Sequence, residues 1–241
     1  MLESTFLHLP GVGAKTERDL WKRGIRSWDT YEESQSTQIS LFGTDERDRR
    51  LAVLEESRAA LAKGDTDYFA SRLPKSEHYR IALTFPDDTC FLDIETTGLS
   101  HYYDEITVVG FSYADEYFCH VIGTDRKEFL RKISKAKCLV TFNGTLFDTK
   151  FLKRDFPDLR LPIAHVDLRF FARSLGLRGG QKKVEAEIGV VRASEIADVV
   201  GEAAPLLWHE YRMGSREAAT RLIGVNIGDK TGHDVGAKAS Q

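Results

Sequence analysis

The stretch Cys90-Phe91-Leu92-Asp93-Ile94-Glu95-Thr96-Thr97-Gly98 limits what this chain can fold into more than any other. Its apolar, β-forming lead-in (Thr89 to Leu92) predicts a buried strand, and the Thr-Thr-Gly that follows predicts the strand's end turning into a loop. Side chains alternate faces along a strand, so Asp93 and Glu95 project to the same side, about 7 Å apart along the backbone. Two acids held side by side raise each other's pKa unless positive charge lies between them, and the hard, oxygen-binding Mg²⁺ or Mn²⁺ is the natural candidate. The bland alternative is a solvated pair ending an edge strand. Residues elsewhere in the chain have to decide between the two.

At 241 residues the chain is long enough for one large domain, or for a main domain with a small one beside it. No apolar run approaches the ~20 residues of a membrane-spanning helix. The opening Met1-Leu2-Glu3-Ser4 lacks the basic start and apolar stretch of a signal peptide, so the expectation is a cytoplasmic protein with no membrane partner. Three cysteines, Cys90, Cys119 and Cys138, lie in apolar segments without Cys-x-x-Cys spacing. That pattern argues against zinc or a disulfide framework and for small buried hydrophobes in reducing surroundings. The formal net charge of -3 gives no global pull toward nucleic acid. Any such binding has to come from local basic patches, helix N-termini or metal ions.

Near the front, Leu9-Pro10-Gly11-Val12-Gly13-Ala14-Lys15-Thr16 leads into a helical spacing of Leu20, Trp21 and Ile25. Glycines permit close backbone approach, and the following helix N-terminus offers unpaired N–H groups. The segment resembles a helix-hairpin-helix motif. That resemblance implies contacts to nucleic-acid backbone from Gly11, Val12 and Gly13, with Lys15, Thr16 and Arg18 adding to them. A helical hairpin used only for packing is the alternative. The second element, 25–31, carries Ser27 and Asp29 as candidate caps. Residues 45–63 predict an amphipathic surface helix whose arginines are offset by its acids, and 65–74 a short helix ending at Pro74. We place the domain boundary near residue 80, giving a small helical region, 1–80, and a main domain, 81–241.

After the first strand, 105–113 and 116–122 are β-rich runs separated by Ala114-Asp115, a hairpin. A helix is predicted over 125–135, and the unbroken apolarity of Cys138 to Phe142 predicts a strand buried on both faces. Three antiparallel strands, a helix and a further strand are the order of an RNase H-like α/β domain: a mixed sheet, antiparallel then parallel, flanked by helices. The fourth strand closes with Asn143-Gly144-Thr145-Leu146-Phe147-Asp148. Asn143 and Gly144 make a turn, and Asp148 falls in the first turns of a helix. It reaches the Asp93/Glu95 terminus only if strands one and four are neighbours; ordinary helix capping is the other reading.

"DIETTG" followed by "NGTLFD" resembles the first two motifs of the DEDD superfamily of 3′-5′ exonucleases. The likeness is greatest to the YprB-like ribonuclease H-like family, and it extends to the front segment, to His165-Val166-Asp167-Leu168-Arg169 and to Ser174-Leu175-Gly176-Leu177-Arg178-Gly179-Gly180. The resemblance implies a nuclease that hydrolyses the phosphodiesters of DNA or RNA, at a single-stranded end, with two Mg²⁺ or Mn²⁺ ions. It makes Asp93, Glu95, Asp148 and Asp229 the metal-holding acids. Where the family has a tyrosine or histidine ahead of the last aspartate, this sequence has Val225, which can neither orient nor deprotonate a water. The tail beyond Asp229 is polar where the family continues an apolar helix. A nucleic-acid-binding module with impaired catalysis is therefore the alternative function, and a scaffold with no nucleic-acid role is a third. Asp167 is expected to cap a helix or to support the metal-holding acids. His165 is expected to bond locally. Thr96, Asn143 and Lys182, the last in the basic loop 178–183, complete the candidates for contact with nucleic acid.

Overall fold

The computed structural model describes residues 1–37, 44–113, 116–190, 204–215, 217–218, 220–221 and 223. Asp229, Val225, the Ala114-Asp115 turn and the polar tail lie outside these described residues. The chain forms two compact units, Met1–Pro86 and Asp87–Gln241.

In the first unit, α1 (Ala14–Lys22), α2 (Trp28–Thr37), α3 (Thr44–Lys63), α4 (Thr66–Arg72) and α5 (Tyr79–Thr84) follow a 3-10 turn at Leu2–Ser4. Ser27 caps α2: its hydroxyl accepts from the Thr30 N–H at 3.2 Å while its own N–H donates to Thr30 Oγ1 at 3.0 Å. The unit is pinned by one buried acid. Glu17 accepts from the Thr5 hydroxyl at 2.6 Å and from the Phe6 N–H at 2.7 Å, and Arg80 of α5 faces it at 4.0 Å. Glu77 takes the Arg80 Nε–H at 2.7 Å, so this buried charge is both paired and hydrogen-bonded. Arg80 ties α5 to the first unit, which is why that unit runs on to Pro86.

The second unit is built on a five-stranded sheet. Its strands are β1 (Thr89–Thr96), β2 (Ile106–Tyr113), β3 (Glu116–Val121), β4 (Cys138–Thr141) and β5 (Ala164–Asp167), in the order β3-β2-β1-β4-β5. β3, β2 and β1 run antiparallel; β1, β4 and β5 run parallel. This is the mixed RNase H-like arrangement expected from the sequence. Its helices are α6 (Lys127–Ile133), α7 (Asp148–Asp155), α8 (Leu168–Ser174), α9 (Gln181–Glu187) and α10 (Ala204–Arg212). Period-two alternation divides β1 between two faces. Cys90, Leu92 and Ile94 join Phe111, Phe129, Ile133, Phe151 and Leu152 in the main core. The opposite face packs Val108 and Val121 against Leu207 and Trp208 of α10. The cysteines are free, and burial pushes the Cys138 thiol up to about 12, with Cys90 adding to the shift. Among the described residues no helix is long and apolar enough to cross a membrane.

One correction concerns the basic segment. Gln181, Lys182 and Lys183 open α9 rather than belonging to a loop, because Gln-Lys-Lys-Val-Glu-Ala-Glu is a run of strong helix formers.

The first unit also holds a buried imidazole. Neither ring nitrogen of His8 has a hydrogen-bond partner, and the ring lies between Trp28 and Phe69, with centroids at 5.4 and 6.3 Å. Burial, with the charge of Arg72 second, lowers its pKa from 6.5 to about 4. Between those values the unfolded chain takes up the proton and the folded unit does not, so stability is complete above pH 6.5 and is lost as pH falls toward 4. The loss amounts to roughly 3 kcal/mol at most. We expect His8→Phe to flatten that dependence in urea unfolding followed by the fluorescence of Trp21 and Trp28. Equal pH slopes in the two proteins would contradict this account of His8.

Candidate functional site

The register of the sheet determines which way the first acids face. Asp93 pairs with Gly110, and Gly110 with Cys119; Glu95 pairs with Val108, and Val108 with Val121. Paired residues share a face, so both acids lie on the side where Val108 and Val121 meet α10. Tyr117, two residues before Cys119, shares that face and responds to the acids. Its phenol is pushed up by burial first, then by Cys119, then by the carboxylates of Asp93 and Glu95. Glu95 is buried and Asp93 half-buried.

The strand order brings Asp148 within range of the Asp93 charge. β1 and β4 are neighbours, the condition that the sequence left open. Their pairing ends at Phe91 with Val140, so β1 runs on beyond the partner strand. Beyond that point the Ile94 N–H serves the carboxylate of Asp148, the first residue of α7 and only 2% exposed. Burial raises the Asp148 pKa well above the usual carboxylate range, the Asp93 charge raises it further and Asp167 adds to the rise. The N–H groups of Asp148 and Ile94 act in the opposite direction. Among the described residues, Asp148 Oδ1 is buried with no hydrogen-bond partner.

The loop that presents Asp148 is held by Asp167. That carboxylate, at the N-cap of α8, accepts from the N–H groups of Asn143 (2.9 Å), Thr145 (2.9 Å) and Arg169 (3.1 Å). Asp167 is thus a cap that also clamps a neighbouring loop. Asn143 adopts φ 66°, a left-handed conformation asparagine tolerates, and its Oδ1 accepts from Arg169 Nη1 at 2.7 Å. Gly144 has to be glycine, since a Cβ there would lie 2.5 Å from Thr141 Cβ. His165 bonds locally, with Nε2 2.9 Å from Thr141 Oγ1.

The remaining candidates are scattered. Thr96, at the end of β1, donates its hydroxyl to the Gly98 carbonyl at 2.6 Å. Lys182 is exposed in the first turn of α9. In the first unit Val12 is buried and offers only backbone, while Gly13, Lys15 and Thr16 are exposed at the start of α1. The Pro10-Gly11 turn is braced by Arg50 of α3, whose Nε donates to the Pro10 carbonyl at 2.9 Å. The segment before that turn contains a three-residue 3-10 turn and no α-helix. Asp229 lies outside the described residues. Two residues that sequence reasoning missed are Arg169, held against Asn143, and Asp104, which organises the loop after β1. No local pattern marks Arg169, because its partner is 26 residues away.

Asp148, within range of the Asp93 charge, supplies oxygen donors of the kind that a divalent cation takes. A buried, orphaned carboxylate oxygen beside a second acid is a site where positive charge relieves both desolvation and repulsion. Hard oxygen donors suit Mg²⁺ or Mn²⁺. Among the described residues no three His, Cys, Asp or Glu side chains by themselves form a group able to hold an ion.

A family model, RNase_H_2 of the RNase_H superfamily, matches residues 90–230, more than half of the chain. No curated protein matches. Similar solved structures include the family B DNA polymerase of the hyperthermophilic archaeon Pyrobaculum calidifontis, at 16% identity and a TM-score of 0.44, with 60% of this chain and 23% of that chain covered. This chain therefore spans under a quarter of the polymerase's length. Brucella melitensis NrnC bound to pGG is similar at 20% identity and a TM-score of 0.37, over 67% of this chain and 84% of that one. The Aedes aegypti Nibbler EXO domain is similar at 10% identity and a TM-score of 0.31, over 41% and 52%.

The state of Asp148 yields a prediction for stability. With its pKa raised above 3.8, Asp148 contributes most when protonated, and that contribution is lost as pH rises through the raised value. In metal-free protein at pH 7, Asp148→Asn should therefore stabilise, by about 1 kcal/mol or more, seen as a rise in Tm of roughly 2–4 °C. Added Mn²⁺ should raise the Tm of the parent and not of the variant. A lower Tm for metal-free Asp148→Asn at pH 7 would contradict the electrostatic reading.

Proposed function

Because the chain belongs to the RNase H superfamily, we propose that it is a metal-dependent nuclease of the DEDD type, related to YprB-like proteins, that hydrolyses DNA or RNA from a single-stranded 3′ end. The observation that carries this reading is the buried Asp148 carboxylate, with an unpartnered oxygen, meeting Asp93 at the end of β1. A structural acid in that position would be expected to have a cationic partner or a full set of hydrogen bonds.

Asp93, Glu95, Asp148 and Asp229 would hold two Mg²⁺ or Mn²⁺ ions, whose chemistry is Lewis-acid activation of water and stabilisation of charge on a leaving oxygen. The chain's own residues set up the reaction around them. Asp148 is buried, and charges act more strongly on a group in such low-dielectric surroundings. Asp167 and Gly144 fix the loop before Asp148, so that this acid meets β1 in one geometry. The exposed Arg169 guanidinium, oriented by Asn143, offers further N–H donors to a phosphate approaching the acids. Thr96, at the end of β1, and Asn143, after β4, would contact the nucleic-acid backbone, and Lys182 of α9 would add a cation. In the first unit the N–H groups of Gly11, Val12 and Gly13, with Lys15 and Thr16, would hold nucleic-acid backbone without reading bases.

Val225 gives a second reading, a module that binds nucleic acid and hydrolyses it slowly or not at all. General-base assistance is worth about 10² to 10⁴ in rate, so a valine where relatives carry tyrosine or histidine predicts a slow enzyme. Both readings are tested with single-stranded DNA and RNA labelled at the 5′ end, incubated with Mg²⁺ or Mn²⁺. We expect mononucleotides to be released stepwise from the 3′ end, and Asp93→Ala or Asp148→Ala to reduce release to background. Val225→Tyr should raise kcat, at most by the same 10² to 10⁴ or so. Binding without release under either metal would support the second reading instead.

A further inference from the structure

The loop that leaves β1 exposes large aromatic rings while being firmly held. Tyr103 is 93% exposed and Tyr102 78%. Beneath them, the Asp104 carboxylate accepts from the Ser100 N–H at 2.8 Å and from the Thr97 hydroxyl at 3.4 Å. It lies so close to Gly98 that a Cβ there would meet Asp104 Cγ at 2.6 Å. From α7, Arg154 Nη1 donates to the carbonyls of His101 and Asp104, the latter at 2.7 Å. The His101 ring lies against Tyr102, with centroids 4.0 Å apart, and reaches the edge of the core residue Phe151 at 6.4 Å. One end of this loop joins the strand that carries Asp93 and Glu95. Its arginine clamp comes from the helix that begins with Asp148.

We propose that Tyr102 and Tyr103 form a stacking platform for the unpaired nucleobases of a strand entering the acidic site. This inference rests on the nuclease reading and names the residues that would hold the bases of its single-stranded end. The argument is one of charge and shape. The chain has a net charge of -3, and the Asp93 charge acts on the buried Asp148, so net charge supplies no general attraction for a polyanion. Aromatic faces bind bases of any sequence without relying on charge. Rings carried on a clamped loop lose little conformational freedom when a base stacks on them. In a duplex the base faces are already covered by their neighbours, so the platform selects strands whose bases are free.

The test uses the full chain carrying Asp93→Ala, so that nothing is cleaved, with three fluorescent probes: a short oligothymidylate, an abasic oligonucleotide of the same length and charge, and a blunt hairpin duplex. We expect Tyr102→Ala and Tyr103→Ala each to weaken oligothymidylate binding roughly 5-fold or more, and to leave the abasic strand and the duplex unchanged. Tyr103→Phe should bind within about twofold of the parent, since the ring and not the hydroxyl makes the contact. Both rings are exposed, so the variants should keep the parent's Tm. Unaltered oligothymidylate binding, or an equal loss on the abasic strand, would overturn the platform. So would a failure of Tyr103→Phe to restore affinity. A parallel cleavage assay with Asp93 intact separates the two readings. If the protein cleaves and its KM ignores both tyrosines, the nuclease survives and the platform does not; if it cleaves nothing yet binds through the rings, the platform survives and the nuclease does not.

Discussion

The carboxylate of Asp148, received by the backbone of β1 past the end of β4, is the contact on which the candidate site depends. Pairing between the two parallel strands stops at Phe91 and Val140. A β1 that ended there would have no backbone N–H to offer the first residue of α7. Because it continues, the Ile94 N–H acts on the buried acid and lowers its pKa, against burial and the Asp93 charge, which raise it. A fold stores that opposition only when something else over-determines the geometry. Here the three N–H groups bonded to Asp167 supply the constraint, fixing Asn143 and Thr145 in the loop and Arg169 at the start of α8.

That clamp explains a division between the acids. Asp167 is fully used by backbone donors and behaves as a structural group although it lies near the others. Asp148 keeps an unpartnered oxygen in almost complete burial. Two aspartates in similar surroundings thus take different roles, and the difference lies in how many N–H groups each receives. Composition alone would not separate them.

Much of this was legible in the chain itself, because the informative signals are local. The apolar runs 89–92 and 138–141 read as strands, and period two put Asp93 and Glu95 on one side, as the register with β2 bears out. The mixed strand directions followed from element order. What could not be read depends on residues far apart in sequence. The adjacency of β1 and β4 is one case, the bond from Arg169 to Asn143 another, and the arrangement of Asp104 under Gly98 a third. The start of α9 at Gln181 was obscured for a different reason: Gly179 and Gly180 suggest a loop that continues, although the residues after them are helix formers.

The exposed tyrosines show what a local reading leaves out. In sequence, Tyr102-Tyr103 is an unremarkable polar-aromatic turn, and single exposed aromatics need no explanation. Only the surrounding bonds give the pair meaning. A slack loop would fold such rings back onto the nearest apolar surface, as the hydrophobic effect favours. Asp104 and Arg154 hold the backbone from two directions, and His101 packs at a tilt against Tyr102, so that this collapse is opposed. An acidic site needs affinity from a source that its own charge does not cancel. In the proposed nuclease, non-polar contact with the flat faces of bases would meet that need, supplied by an aromatic loop joined to the acid-bearing strand.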